Sequence, residues 1–228
     1  MKIVKKVILG EKYAEKLHKP LNLRGIECVF LPKNKEIEWQ INSHADIQIF
    51  NVKDDIFVCE PSISVNFNVI YGKTHLKKGY PNNIAYNSLL IGNKFFHNLK
   101  YTDEQILKNL ENVTLHNVKQ GFARCSTLIL GENIAITADK GMYKALKIAK
   151  IDVLLINEGE ILLDGYDYGF IGGCGFMQND EKLCLTGTLE HHSSFNEIHE
   201  FLFNRNIQID YLTNEKIFDV GSILPIFN

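Results

Sequence analysis

No apolar run in the chain reaches the roughly 18 residues that a membrane-spanning helix needs. The stretch Val7-Ile8-Leu9 that follows Met1-Lys2-Ile3-Val4-Lys5-Lys6 is too brief for the apolar segment of a secretory signal. The expectation is a cytoplasmic protein with no membrane partner. An excess of one charge is also missing: 25 basic residues face 27 acidic ones, a formal net charge of −2, so nothing pulls the chain as a whole toward nucleic acid. The local basic cluster from Lys73 to Lys78 reads as a solvated loop. Cysteines number five, an odd count, and none form a CxxC pair, which favours reduced thiols and argues against a zinc knuckle. A dinucleotide fingerprint with its strand–glycine–helix context is absent as well. No metal and no organic cofactor are implied.

What the chain does have is apolar content and repetition. A hydrophobic fraction of 45% over 228 residues suffices for a substantial core, and residues 1–228 read as one domain. Four segments recur roughly every 40–48 residues, a spacing that marks one supersecondary unit used repeatedly. They begin at His44-Ala45-Asp46, Tyr86-Asn87-Ser88, Arg124-Cys125-Ser126 and Gly172-Gly173-Cys174. Each opens on small or polar residues, runs through an apolar stretch, turns on Asn, Gly or Asp, and continues into a second apolar run. This spacing predicts paired strands at Asp46 to Phe50 with Ile56 to Cys59, Ser88 to Ile91 with Lys94 to His97, Thr127 to Leu130 with Ile134 to Thr137, and Phe170 to Met177 with Lys182 to Thr186.

Helices follow three of these pairs. Thr102 is the expected N-cap of a helix over Glu104 to Leu110, Asp139 of one running to Ala149, and a third spans Phe195 to Asn204 with Phe195, Ile198, Leu202 and Phe203 inward. Closing strands are expected at Val113 to Val118, Asp152 to Ile156 and Ile207 to Leu212. The stretch from Pro61 to Asn83 shows no clear helix, so its unit is degenerate. At the N-terminus a strand at Val7 to Leu9, a short helix from Glu11 that Pro20 stops, and a strand at Ile26 to Leu31 lack an opening strand, while Val220 to Phe227 is an opening strand with nothing after it. A lone strand leaves unpaired backbone groups. Joining the two ends supplies the missing partner and yields a five-bladed, pseudo-fivefold α/β propeller.

Five strand–strand–helix–strand units closed by both termini resemble the pentein, or guanidine-modifying enzyme, superfamily. More narrowly, Lys78-Gly79-Tyr80-Pro81-Asn82-Asn83, Lys119 to Cys125 and Gly165 to Gly173 are similar to an uncharacterised bacterial branch with this fold. The resemblance covers nearly the whole chain. It implies a cysteine nucleophile in a C-terminal loop, a histidine often written His-x-Asp, and acidic residues that grip a guanidinium. A thiolate attacks the guanidinium carbon, the histidine moves protons, and carboxylates hold the planar cation. In this chain no cysteine follows Cys184, so the implied nucleophile is missing from its place.

The residues themselves supply candidates. His44-Ala45-Asp46 matches His-x-Asp, although a loop histidine and a strand-end aspartate explain it equally. Cys125 beside the cation Arg124 is a nucleophile candidate or a packed core thiol. Arg124 binds an anion or pairs with an acid such as Asp167. Gly172 and Gly173 bring backbone close to a ligand or to a neighbouring strand in a narrow ring. Asn82 and Asn87 belong to a polar cluster that binds a ligand or caps turns. His191-His192 reads as a solvated loop, and Cys28, Cys59 and Cys184 as core.

The expected site lies at the central channel, with Cys125 and His44 as the catalytic pair and Asp46, Asn82, Asn87, Arg124, Asp167, Gly172, Gly173 and Asp219 binding a small polar molecule that bears a guanidinium or amine. The enzymatic version is a cysteine-dependent hydrolase or amidinotransferase-like protein. The alternative class is a non-catalytic module that binds a protein or ribosomal partner on the same scaffold.

Overall fold

Five three-stranded sheets make up the computed structural model, which describes residues 3–53 and 55–226. Asp54 of the first expected turn, Phe227 of the last expected strand, and Met1 and Lys2 lie outside the described residues. Every sheet has one pattern: an opening strand runs antiparallel to the middle strand, and the middle strand runs parallel to the third.

The N-terminal sheet comprises β1 (Lys6–Gly10) and β2 (Glu27–Leu31), joined through α1 (Ala14–Asn22). The next holds β3 (Ile49–Lys53), β4 (Ile56–Cys59) and the two-residue β5 (Ile70–Tyr71), and as expected no helix joins β4 to β5. The third holds β6 (Leu89–Ile91), β7 (Lys94–His97) and β8 (Thr114–Asn117), and the fourth β9 (Thr127–Gly131), β10 (Ile134–Thr137) and β11 (Asp152–Leu155). The fifth is β12 (Gly175–Asn179), β13 (Lys182–Leu185) and β14 (Gln208–Tyr211). The final strand, β15 (Leu224–Ile226), pairs with β1, placing Val7 opposite Pro225 and Ile8 opposite Leu224. The two ends of the chain therefore complete one sheet.

The hairpins form because apolar runs on both sides of a short polar turn bury their backbone groups only by pairing with each other. The other four crossovers carry helices whose apolar faces cover the sheets. α4 (Lys140–Ile148) buries Met142 and Leu146, and α5 (Phe195–Phe203) buries Ile198 and Leu202. α3 (Glu104–Asn109) buries Ile106.

Several expectations need correction. Pro20 does not stop the first helix but sits inside α1. It is tolerated near the C-terminal end because Leu17 and Leu21 anchor the turn from the buried side, while Lys16, to whose carbonyl it can offer no amide, is on the exposed face. Asp103, not Thr102, caps α3, accepting from the Gln105 amide. Phe203 is 80% exposed, one residue beyond the buried stripe of α5. His192 is buried, its Nδ1 accepting from the Ser194 amide at the start of that helix, so only His191 is solvated.

Two more corrections bear on the site. Asp46 does not begin a strand: residues Ala45–Gln48 form a single buried helical turn, α2, before β3. Residues Ile171–Gly173 likewise form a tight 3-10 turn before β12. In both places polar groups buried ahead of the strand must find local partners, and a turn supplies them where an extended chain would not. Gln48, for example, donates to the carbonyls of Asn42 and His44.

Candidate functional site

The segments immediately before the opening strands of all five sheets converge on one buried cluster. Asp46, on α2, is 1% exposed, and its Oδ2 accepts two bonds: from Ser222 Oγ at 2.5 Å and from Cys125 Sγ at 2.9 Å. Asn87, preceding β6, locks the thiol in place. Its Nδ2 donates to Cys125 Sγ at 3.2 Å, and its Oδ1 accepts from the backbone amides of Arg124 and Cys125. The Arg124 guanidinium donates to the carbonyls of Thr127 and Gly172.

His44 stands beside this group, its Nε2 3.2 Å from the Tyr13 hydroxyl and its Nδ1 4.0 Å from Asp219 Oδ1. Asp219 is held by the amides of Phe170 and Gly221. One ligand-type atom each from His44, Asp46 and Cys125 lies within 4.8 Å of the other two.

The glycines are explained by contact. A side chain at Gly172 would strike the carbonyl oxygens of Arg124, Cys125 and Thr127 at 2.3–2.5 Å, and one at Gly173 would strike Asp219. Gly221, at φ +68°, lies against the His44 side chain, where a Cβ would come within 2.1 Å. Ser222 follows with φ +64°, a left-handed conformation that costs a non-glycine residue about 1 kcal/mol. That turn is what aims its hydroxyl at Asp46.

Burial dominates the electrostatics. It pushes the Cys125 thiol well above its ordinary range, reinforced by the neighbouring Asp46 charge. It raises the Asp46 carboxyl, although His44 and the donors Cys125 and Ser222 oppose the shift. Asp219 rises to about 6 for the same reason, partly offset by its two amide donors. His44 falls to about 4, with Asp46 pulling the other way, so the imidazole is neutral near pH 7. At that pH the thiol is protonated and serves as donor to Asp46.

A cavity of about 680 Å³ touches Asp46 and Arg124 and is walled by residues of β3, β6, β9, β12 and β15, including Asn51, Leu90, Ile129, Met177 and Leu224. A larger one, about 800 Å³, lies against β2 and residues 64–68 and contains none of the candidate residues. The smaller cavity is the one that the opening strands of all five sheets share.

His44, Asp46, Asn87, Arg124, Cys125, Gly172, Gly173 and Asp219 are thus brought together. Asp167 is not: it lies exposed in the loop before β12 and forms no pair with Arg124, whose donors go to carbonyls instead. Asp219, expected among the channel residues, stands beside His44. Asn82 is exposed too, its amide and carbonyl closing the turn of residues 77–82. Sequence reasoning missed Ser222 and Tyr13. The Gly221-Ser222 pair interrupting the last apolar run was a signal for the first. Tyr13 had none, because it arrives from the crossover of a different sheet.

Residues 8–224 match the model of a family of unknown function, DUF6873. The chain belongs to that family. No curated protein matches it in sequence. Among solved structures, the inosamine-phosphate amidinotransferase of Streptomyces griseus is similar over 99% of this chain and 94% of its own, at a TM-score of 0.53 and 8% identity. The agmatine deiminase of C. jejuni is similar over 100% and 94%, at 0.51 and 10%. The DDAH of Pseudomonas aeruginosa, solved with citrulline, is similar over 92% of each chain, at 0.51 and 9%. This chain therefore has a fold similar to that of these amidinotransferase, deiminase and DDAH structures. No helix among the described residues is long and apolar enough to cross a membrane.

Proposed function

We propose that the five sheets close as a five-bladed propeller and that a small guanidinium- or amine-bearing molecule binds in the shared cavity against Asp46, with Cys125 as the group that reacts with it. The observation that carries this reading is the position of Asp46. It borders the cavity, bonds the Cys125 thiol through Oδ2, and leaves Oδ1 without a partner among the described residues. A buried carboxylate with a free oxygen is a strong acceptor for a planar cation. The structural relatives named above include a deiminase of agmatine and an amidinotransferase, which supports the choice of ligand class.

A bound cation also changes the thiol. Its positive charge favours the thiolate, opposing the burial that now keeps the proton on sulfur. In the reacting version the proton passes from Cys125 to Asp46, sulfur bonds to the guanidinium carbon, and an amine leaves with the proton. Water or an acceptor amine then frees the sulfur, with neutral His44 as proton acceptor. The five cysteines, all free, fit a reducing compartment, which for this proposal is the cytoplasm.

The competing reading is a non-catalytic module for a protein partner, favoured by the deep burial of Cys125. Calorimetric titration with agmatine and with arginine separates the two, combined with iodoacetamide labelling read by mass spectrometry. Expected are saturable binding of one compound, binding at least about tenfold weaker in Asp46→Asn, a loss of about 1.4 kcal/mol or more, and labelling of Cys125 altered by that compound. Absence of binding to both, or an unaffected Asp46→Asn variant, would refute the proposal.

A further inference from the structure

The geometry points to a second occupant of the same cluster: a soft divalent transition cation, zinc foremost, held by His44, Asp46 and Cys125 when no organic ligand is present. The three residues offer a nitrogen, an oxygen and a sulfur, the donor set of zinc and not of calcium or magnesium, which take oxygen. Their ligand atoms lie within 4.8 Å of one another. A tetrahedral zinc site with sulfur at about 2.3 Å and nitrogen or oxygen at about 2.0 Å has ligand–ligand edges of roughly 3.5 Å. Closing the cluster takes shifts of about one ångström.

An independent observation also points to a ligand at these atoms. His44 Nδ1 and Asp46 Oδ1 are buried and have no hydrogen-bond partner among the described residues. Orphaned buried polar atoms cost about 1–3 kcal/mol each, so native structures keep few of them. The supporting shell is built already. Tyr13 bonds His44 Nε2, Ser222 bonds Asp46, and Asn87 bonds Cys125, and such outer contacts orient metal ligands.

Charge also balances. The ion displaces the thiol proton, forming a sulfur–metal bond and releasing one proton to solvent. The thiolate and the carboxylates of Asp46 and Asp219 then face the ion and the Arg124 guanidinium, three negative charges against three positive. The cavity described above borders Asp46, one of the three ligands. The ligands come from segments 79 residues apart, which is why no metal motif appears in the sequence.

The test uses the full chain, stripped with a chelator and titrated with zinc or cobalt(II) in the absence of any guanidine compound. Expected are one ion per chain, release of one proton per zinc, and a sulfur-to-cobalt charge-transfer absorption. Cys125→Ser should lose that absorption and weaken zinc binding by about 100-fold or more, while Cys28→Ser behaves as wild type. If Cys125→Ser fails to fold, wild-type labelling decides: zinc should shield Cys125 but not Cys28 from iodoacetamide. Absence of the absorption, binding unchanged in Cys125→Ser, or unshielded Cys125 would overturn the inference. Because no organic ligand is in the cell, its failure leaves the calorimetry with agmatine and arginine untouched, and the converse holds.

Discussion

His97, remote in role from the cluster, shows what burial does to a single side chain. It is fully buried, with Nε2 3.0 Å from the Gly121 carbonyl and Nδ1 2.7 Å from Thr102 Oγ1. A carbonyl only accepts, so Nε2 carries the hydrogen and the neutral ring accepts from Thr102. Burial drives its pKa down to about 4 against an ordinary 6.5. Between these values the unfolded chain binds the proton and the folded one does not. Stability from His97 is thus complete above about pH 6.5 and lost as pH falls through about 4, up to about 3 kcal/mol. Urea unfolding of wild type and His97→Gln from pH 4 to pH 7 should show the wild-type advantage growing with pH. A difference independent of pH would refute this. The chain shows a histidine ending an apolar run there, but nothing in that run states whether the ring is buried.

At the scale of elements, strands and crossovers were largely legible because each depends on local pattern. β4, β7 and β10 coincide with their expected ranges, since an apolar run bounded by a tight polar turn has one way to pair. Asp139 caps α4 as expected, accepting from the Met142 amide at 2.6 Å while also receiving Gln120 Nε2. Asp139→Ala should therefore cost about 1–2 kcal/mol in chemical denaturation, and a loss below a few tenths would show the cap to be idle. The failures fall where neighbours overrule local pattern. α2 and the 3-10 turn at Ile171–Gly173 carry apolar residues that read as strand, yet the Asp46 amide is taken by the Gly221 carbonyl, and Gly172 is pressed by three carbonyls of the adjoining sheet.

For the whole molecule the decisive element is the pairing of β15 with β1. It buries Ile223, Leu224 and Ile226 and places Ser222 against Asp46, 176 residues earlier in the chain. Removing residues 223–228 would expose the edge of β1 and forfeit the burial of three apolar side chains, on the order of 5 kcal/mol. Thermal unfolding followed by circular dichroism should lose its cooperative transition in the shortened chain. A truncated protein that melts like the full one would show that the terminal strand is dispensable.

The amino-acid sequence by itself determined the units: where strands alternate with helices, which turns divide them, and that one unit has to be shared between the two ends. Those features follow from periodicity and backbone pairing, which act over a few residues. Only the tertiary structure decided which polar groups bond to one another in the buried cluster. It gathered Asp46, Asn87, Cys125 and Ser222, kept Asp219, left Asp167 exposed, and added Tyr13. Such choices depend on which segments meet in the buried cluster, and on burial that raises the carboxyls of Asp46 and Asp219 and keeps the neighbouring imidazole neutral. Contacts between residues far apart in the chain set both.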